Sequence, residues 1–296
     1  NAVVIKTYID CIPCFVNQAL TVLRTITADE AVHEKTVRKV LRLLAVMDLR
    51  LPPPATAQRI HRILREITGN DDPFAREKEA QNRFALSLIP EIRKRHLHDT
   101  DLFLKTLRLS IAGNIIDSGK NPDIRHADVL QSIERAMETG LDMRAVDRLR
   151  RAISNSSNIL YLGDNAGEIV FDRLFIECMP YDKITYVVRG APVINDVTWK
   201  DAQEVNMCGL VEVIDNGSDA PGTIVDDCSE EFQERFSFAD LIIAKGQGNY
   251  ETLNVVNQKI FFLFQVKCPV IARDTGHAVG SFVVKAPCFG DAGQND

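Results

Sequence analysis

NILYLGDNAGEIV (158–170) marks a change of rule halfway along a chain of 296 residues. Its first six residues are a β-prone apolar run, and Asp164, Asn165 and Glu168 follow at once around a glycine-containing turn. A short apolar run closed by turn residues is the pattern of a buried strand. Farther on, similar runs appear at KITYVV (183–188), LVEVID (210–215), DLIIAKG (240–246) and CPVIA (268–272), with starts separated by 25, 27, 30 and 28 residues. Each interval has room for a helix or a long crossover, which parallel strands require. The expectation is an α/β domain over 153–296, carrying a mostly parallel, Rossmann-like three-layer sheet.

Upstream of that stretch the period becomes helical. Val16, Leu20 and Leu23 recur at steps of four and three, as do Val37, Leu41 and Leu44, then Ile60, Ile63 and Ile67, then Phe103, Leu107 and Ile111. Turn chemistry interrupts these stripes at LPPPAT (51–56), TGNDDP (68–73) and DSGKNPD (117–123), with Gly69 placed as a helix C-cap. The seam falls near AISNSSN (152–158), so an all-α N-terminal domain over 1–152 precedes the sheet domain and packs with it as one unit.

Charge divides at the same place. Residues 1–150 hold 24 Lys+Arg against 20 Asp+Glu, residues 151–296 hold 11 against 21, and the total is −6. A mildly acidic chain argues against nucleic acid as partner, because neutralising phosphates takes a basic face; RKRH (93–96) reads as a solvated helix end. Hydrophobic residues make up 45% of the chain, the share of a globular core. No run reaches the roughly 18 apolar residues of a membrane span, and Lys6 and Asp10 stand where a signal core would run, so a soluble, cytoplasmic protein is expected. Seven scattered cysteines, paired only in CIPC (Cys11, Cys14), read as reduced thiols.

In open α/β sheets ligands gather at the carboxyl ends of the strands. After the first run come Asp164 and Asn165; after the second, RGAPVINDVT offers Arg189, Asn195 and Asp196; after the fourth, KGQGNYE offers Lys245, Gly246, Gly248, Asn249 and Glu251. Two carboxylates and a carboxamide, Asp164, Asp196 and Asn165, are hard oxygen donors suited to a divalent cation that keeps several waters. A glycine turn lets backbone N–H groups approach an anion, while Lys245 and Arg189 supply charge for a phosphate. Each motif also has a plainer reading: GDNAG as an Asx turn capping the next helix, KGQGN as a tight turn. Neither is a P-loop or a dinucleotide fingerprint, since the lysine precedes the glycines and the third glycine is missing. Together the three strand ends point to phosphoryl chemistry.

GDNAGE, VVRGAPVINDVT, KGQGNYE, AGNIIDSG (112–119) and CIPC, in that combination, resemble the metal-dependent damage-control phosphatases, the family also catalogued as domain of unknown function eighty-nine, in its short prokaryotic branch with a Cys-x-x-Cys. The resemblance covers nearly the whole chain. It implies a helical N-terminal domain before an α/β domain, and hydrolysis of phosphomonoesters of small metabolites with Co²⁺, Ni²⁺, Mn²⁺ or Mg²⁺. Matched motif by motif, it implies metal ligation by Asp164, Asn165 and Asp196 and phosphate contact by Lys245; Asp164 and Lys245 are the catalytic candidates, and the nucleophile is either a metal-held water or the Asp164 carboxylate, by way of a phosphoaspartate. Asn114 and Asp117, three apart on a helical segment, can face metal or substrate together, although Asp117 serves equally as a cap. Glu168 reads as a favourable charge in a first helical turn rather than as a partner of the ligands.

The cysteine pair admits three readings: packing, redox control involving Cys268, or a metal. The position of Cys11 and Cys14 at a helix start is expected to lower a thiol pKa. Two rival functions share the same residues or the same fold, a non-catalytic metal-dependent phosphometabolite-binding protein and an S-adenosylmethionine-dependent methyltransferase. The sequence leaves the oligomeric state open.

Overall fold

The computed structural model describes residues 5–97, 101–113 and 126–286. Three helices open the chain, α1 (Cys11–Ile26), α2 (Glu30–Ala45) and α3 (Pro53–Thr68), and bury their stripes against one another through Phe15, Leu23, Val40, Ile60 and Leu64. The triple proline opens α3, since proline in a first turn forfeits an N–H that would have no partner there. Gly69 ends the helix in the left-handed conformation, φ 63°, as its position predicts.

Four further helices, α4 (Ala75–His96), α5 (Leu102–Ala112), α6 (His126–Glu138) and α7 (Met143–Asn155), lie on one face of a sheet. The sheet elements follow in order: β1 (Ile159–Leu162), α8 (Glu168–Ile176), β2 (Ile184–Val188), α9 (Trp199–Glu204), β3 (Glu212–Asp215), α10 (Glu230–Phe238), β4 (Leu241–Lys245), α11 (Gly246–Leu253), β5 (Ile260–Gln265), α12 (Pro269–Thr275) and β6 (Phe282–Lys285). Strand order is β3-β2-β1-β4-β5-β6, with β6 alone antiparallel to its neighbour.

Side chains along a strand alternate between faces, and the two cores show it. Ile159, Tyr161, Leu241 and Ile243 join Leu88, Leu107, Ile133, Leu149 and Phe175 in one layer. Leu160, Leu162, Ile242 and Ala244 join Phe232, Tyr250, Leu253 and Ile271 in the other. The fold is therefore a mixed α/β architecture of three layers, with the core of α4–α7 continuous with that of the sheet, while α1–α3 keep a cluster of their own.

Two strand expectations need correction. The fifth strand is Ile260–Gln265, not CPVIA (268–272), which instead supplies the cap and first residues of α12. IFFLFQ is the longer buried run, and Pro269 sits at the helix start where its missing N–H costs nothing. Strand β6 had no counterpart among the expected elements. Among the described residues no helix is long and apolar enough to cross a membrane.

Candidate active site

β1 pairs with β2 on one side and β4 on the other, so the winding reverses at its carboxyl end, the place where such sheets open a crevice. There the loops after β1 and β2 are laced together by backbone hydrogen bonds. Val197 N donates to Asp164 O at 2.8 Å and Ala166 N to Asn195 O at 2.9 Å, while within the second loop Arg189 N donates to Val197 O at 2.9 Å. Asn165 and Asp196 thereby face each other as an isolated antiparallel bridge. The structure thus brings Asp164, Asn165 and Asp196 to one point, all buried. Ile194, next in this loop, holds φ +46°, a left-handed conformation that is unusual for a β-branched residue. Its side chain packs against the α1–α3 cluster.

Gly246 supports this floor from β4. Its φ is +80°, and a Cβ there would stand 2.1 Å from Asp164 Cγ, so only glycine lets the start of α11 pass beneath the carboxylate. Asn165 Nδ2 donates to Asp164 Oδ2 at 2.7 Å and to Glu168 Oε2 at 3.2 Å. Arg189 Nε donates to Asp196 Oδ2 at 2.7 Å, while its Nη2 is buried and has no hydrogen-bond partner among the described residues. Burial, with Glu168 and Asp196 adding to it, pushes the Asp164 carboxyl up to about 8; burial also raises Asp196, against the pull of Arg189. The floor therefore holds more carboxylate than its cations neutralise. A divalent cation fits such a donor set of two carboxylates and a carboxamide. Among the described residues no three His, Cys, Asp or Glu side chains gather as a metal site, so an ion here would rely on Asn165 and water for its remaining coordination.

Lys245 and Asn249 are placed differently from the phosphate contacts expected of them. Lys245 is fully buried, and its Nζ donates to Glu168 Oε1 and Asp172 Oδ1 at 2.5 Å each and to Ser110 O at 2.9 Å. An ammonium has three donors, and all are committed. Burial alone would lower its pKa, but Asp172 and Glu168 raise it above the ordinary lysine value. Asp172 also accepts from Tyr161 and Tyr186 hydroxyls at 2.9 and 3.1 Å. Glu168, expected as a mere helix-start charge, is thus a buried link between Lys245 and Asn165. Asn249 is buried too, donating to Lys245 O at 2.8 Å and accepting from Thr223 Oγ1 at 2.8 Å. It ties the β4 end to the loop before α10.

Asp172 and Asn82 went unread in the sequence. Asp172 lies four residues after Glu168 in an apolar helix, and two acids at that spacing on a buried face are a readable signal. Asn82 of α4 donates to Asp201 and Glu204 at 2.9 Å and accepts from Gly167 N at 2.7 Å, tying α4 to the start of α8 and to α9. Nothing in its local sequence marks it.

Above the floor opens a cleft of about 500 Å³, walled on one side by Phe15, Pro53 and Pro54 of the helical bundle and on the other by Gln247, Gly248 and Glu251 of α11. Asp219, in the loop after β3, joins the two halves beside it: Gln58 Nε2 donates to it at 2.7 Å, and Arg62 and Arg65 both pair with it. Cys11, Cys14 and Cys268 are free thiols lining the same cleft. The Cys11 thiol is raised rather than lowered: burial dominates, a backbone hydrogen bond at Tyr8 opposes it, and Glu251 adds to it. Asn114 and Asp117 lie outside the described residues.

The sequence matches the family described as damage-control phosphatase ARMT1-like domain over residues 7–283. It is 34% identical over 281 residues to a protein of Archaeoglobus fulgidus named damage-control phosphatase, covering 93% of this chain and 97% of that one. Damage-control phosphatase PH1575 of Pyrococcus horikoshii is 32% identical over 285 residues, covering 94% and 97%, and MJ0202 of Methanocaldococcus jannaschii, named as an uncharacterized protein, is 35% identical over 292 residues, covering 93% of each. The crystal structure of PH1575, described as a DUF89 family protein, superposes with a TM-score of 0.87 at 30% identity, covering 95% of this chain and 99% of that one. With the sheet order, the loop motifs and nearly the full length in agreement, this chain belongs to the damage-control phosphatase ARMT1-like family.

Proposed function

We propose that this protein is a metal-dependent phosphatase hydrolysing phosphomonoesters of small metabolites. The observation that carries the reading is the convergence of buried Asp164, Asn165 and Asp196 beneath a cleft of small-molecule size. These residues would hold a divalent cation, Mn²⁺, Co²⁺, Ni²⁺ or Mg²⁺, whose chemistry is to offset phosphoryl charge and make water a better nucleophile. The residues of the chain supply the frame. Arg189 fixes Asp196 and directs an unsatisfied Nη2 within the buried site; Gly248 brings backbone to the cleft wall; Lys245 keeps Glu168 in place against Asn165, acting as a positioning residue. Phe15 and the prolines exclude water from the bound ester. The names of the Archaeoglobus and Pyrococcus relatives support the same activity.

The test is phosphate release from sugar phosphates, nucleotides and p-nitrophenyl phosphate by chelator-stripped protein, with each metal restored in turn. Release should require metal and fall at least about 10–100-fold in Asp164→Ala and Asp196→Ala with the fold retained. Full activity in either variant would overturn the assignment of the floor. Metal-dependent binding of phosphometabolites without turnover would favour the non-catalytic reading.

A further inference from the structure

Helix α11 begins at the floor, where Gly246 abuts Asp164, and runs along the cleft. Five residues on, at a rise of about 1.5 Å per residue, Glu251 stands roughly 7–8 Å farther along the axis. Its side chain lines the same cleft as Asp164, Asn165 and Asp196. That interval suits a phosphoryl group seated on the floor with its ester oxygen directed along the wall. One turn earlier Gln247, on the same helix face, donates from Nε2 to Glu251 Oε1 at 2.8 Å. Gln247 is itself anchored, accepting from Lys267 N at 3.0 Å and reaching Cys268 Sγ at 3.6 Å. One oxygen of Glu251 is thus fixed, leaving Oε2 for the cleft.

We propose that Glu251 donates the proton to the departing alcohol oxygen, an inference that rests on the phosphatase reading above. Water forms the new P–O bond as the ester P–O bond breaks. The bonding pair goes to the alcohol oxygen, which takes the carboxyl proton of Glu251. The attacking water's proton then returns to the Glu251 carboxylate by way of solvent, leaving hydrogen phosphate and the alcohol. The carboxyl is prepared for this role: burial pushes it up to about 7, against the Gln247 hydrogen bond and the Lys267 charge, near the pH at which a general acid works best. The titratable groups that line the cleft with it are Lys267, Cys11, Cys14 and Cys268, the floor carboxylates Asp164 and Asp196, and Asp10, which is in an ion pair with Arg273 at 3.1 Å.

The experiment compares Glu251→Gln with the parent enzyme on alkyl phosphates and on p-nitrophenyl phosphate, whose leaving phenolate needs no proton. The amide retains a carbonyl for Gln247. Alkyl phosphate turnover should fall about 10²–10⁴-fold, the usual worth of general acid catalysis, while nitrophenyl turnover changes less than about tenfold and so reports an intact fold. The alkaline fall of kcat for alkyl substrates, set by Glu251, should vanish in the variant, and Glu251→Asp should restore part of the lost rate. Equal losses on both substrates, or no loss on alkyl phosphates, would overturn the proposal and leave the phosphatase reading standing. A parent enzyme inert toward both substrates with every metal would overturn both.

Discussion

Replacing Lys245 with methionine removes one positive charge from a site that no water reaches and leaves two carboxylates behind. Glu168 and Asp172 each lose a 2.5 Å contact, and Ser110 O loses its 2.9 Å donor. Breaking a buried ion pair from one side costs about 3–5 kcal/mol, because the surviving charge keeps its desolvation penalty. Two survivors repel each other and push the figure up, while Tyr161 and Tyr186 still donate to Asp172 and Asn165 to Glu168, which pulls it down. The expected loss is about 4 kcal/mol, or roughly 6 °C in Tm at this chain length.

The sign with pH follows from the raised folded pKa of Lys245. Its contribution is complete below the unfolded lysine value of about 10.4 and fades only as pH rises through the higher folded value. At neutral pH the whole effect is therefore present. Urea unfolding followed by far-UV circular dichroism and by the single tryptophan, Trp199, measures it. The triple variant Lys245→Met, Glu168→Gln, Asp172→Asn should recover most of the loss, since it removes the stranded charges. A loss below about 1 kcal/mol in the single variant, or no recovery in the triple, would refute uncompensated charge as the cause.

Gly246→Ala should displace Asp164, given the 2.1 Å approach of a Cβ and the φ of +80°; cation affinity, read by titration calorimetry, should drop about 10–100-fold while helix content holds. Asp219→Asn should cost about 1–3 kcal/mol at neutral pH by weakening the grip of Gln58, Arg62 and Arg65. Burial alone would raise Asp219, but Arg62, Gln58 and Arg65 outweigh it and hold the carboxyl below the usual range. Its contribution is present above the unfolded value of about 3.9 and is lost as pH falls through the lower folded one, so parent and variant stabilities should converge in acid.

Strands β1, β2 and β4 are legible because both their faces are covered, which turns them into unbroken apolar runs. The convergence of Asp164, Asn165 and Asp196 is legible for the same reason: they are polar residues set where such runs stop. What the sequence hides is direction. Leu241, Ile243 and Lys245 share a strand face, so Lys245 points into the layer that holds α8, away from the cleft. Knowing this requires knowing which face α8 covers, and tertiary packing decides it. Asn249 misleads likewise, since a carboxamide after a glycine turn reads as a ligand until its partners prove to be Lys245 O and Thr223. CPVIA has the composition of a strand, and only the stronger claim of IFFLFQ on the sheet displaces it.

Ile194 couples the helical bundle mechanically to the loop that carries Asn195 and Asp196. A β-branched residue released from its packing would leave φ +46° for an ordinary conformation, and Asn195 and Asp196 would turn with it. The bundle acts as a clamp on a bent spring, and the force it exerts is the apolar contact of Ile194 with the α1–α3 cluster. Linkage makes the relation reciprocal. Whatever loosens α1–α3 loosens the loop that carries Asp196, and whatever binds and stiffens that loop tightens the helices packed on Ile194 in return.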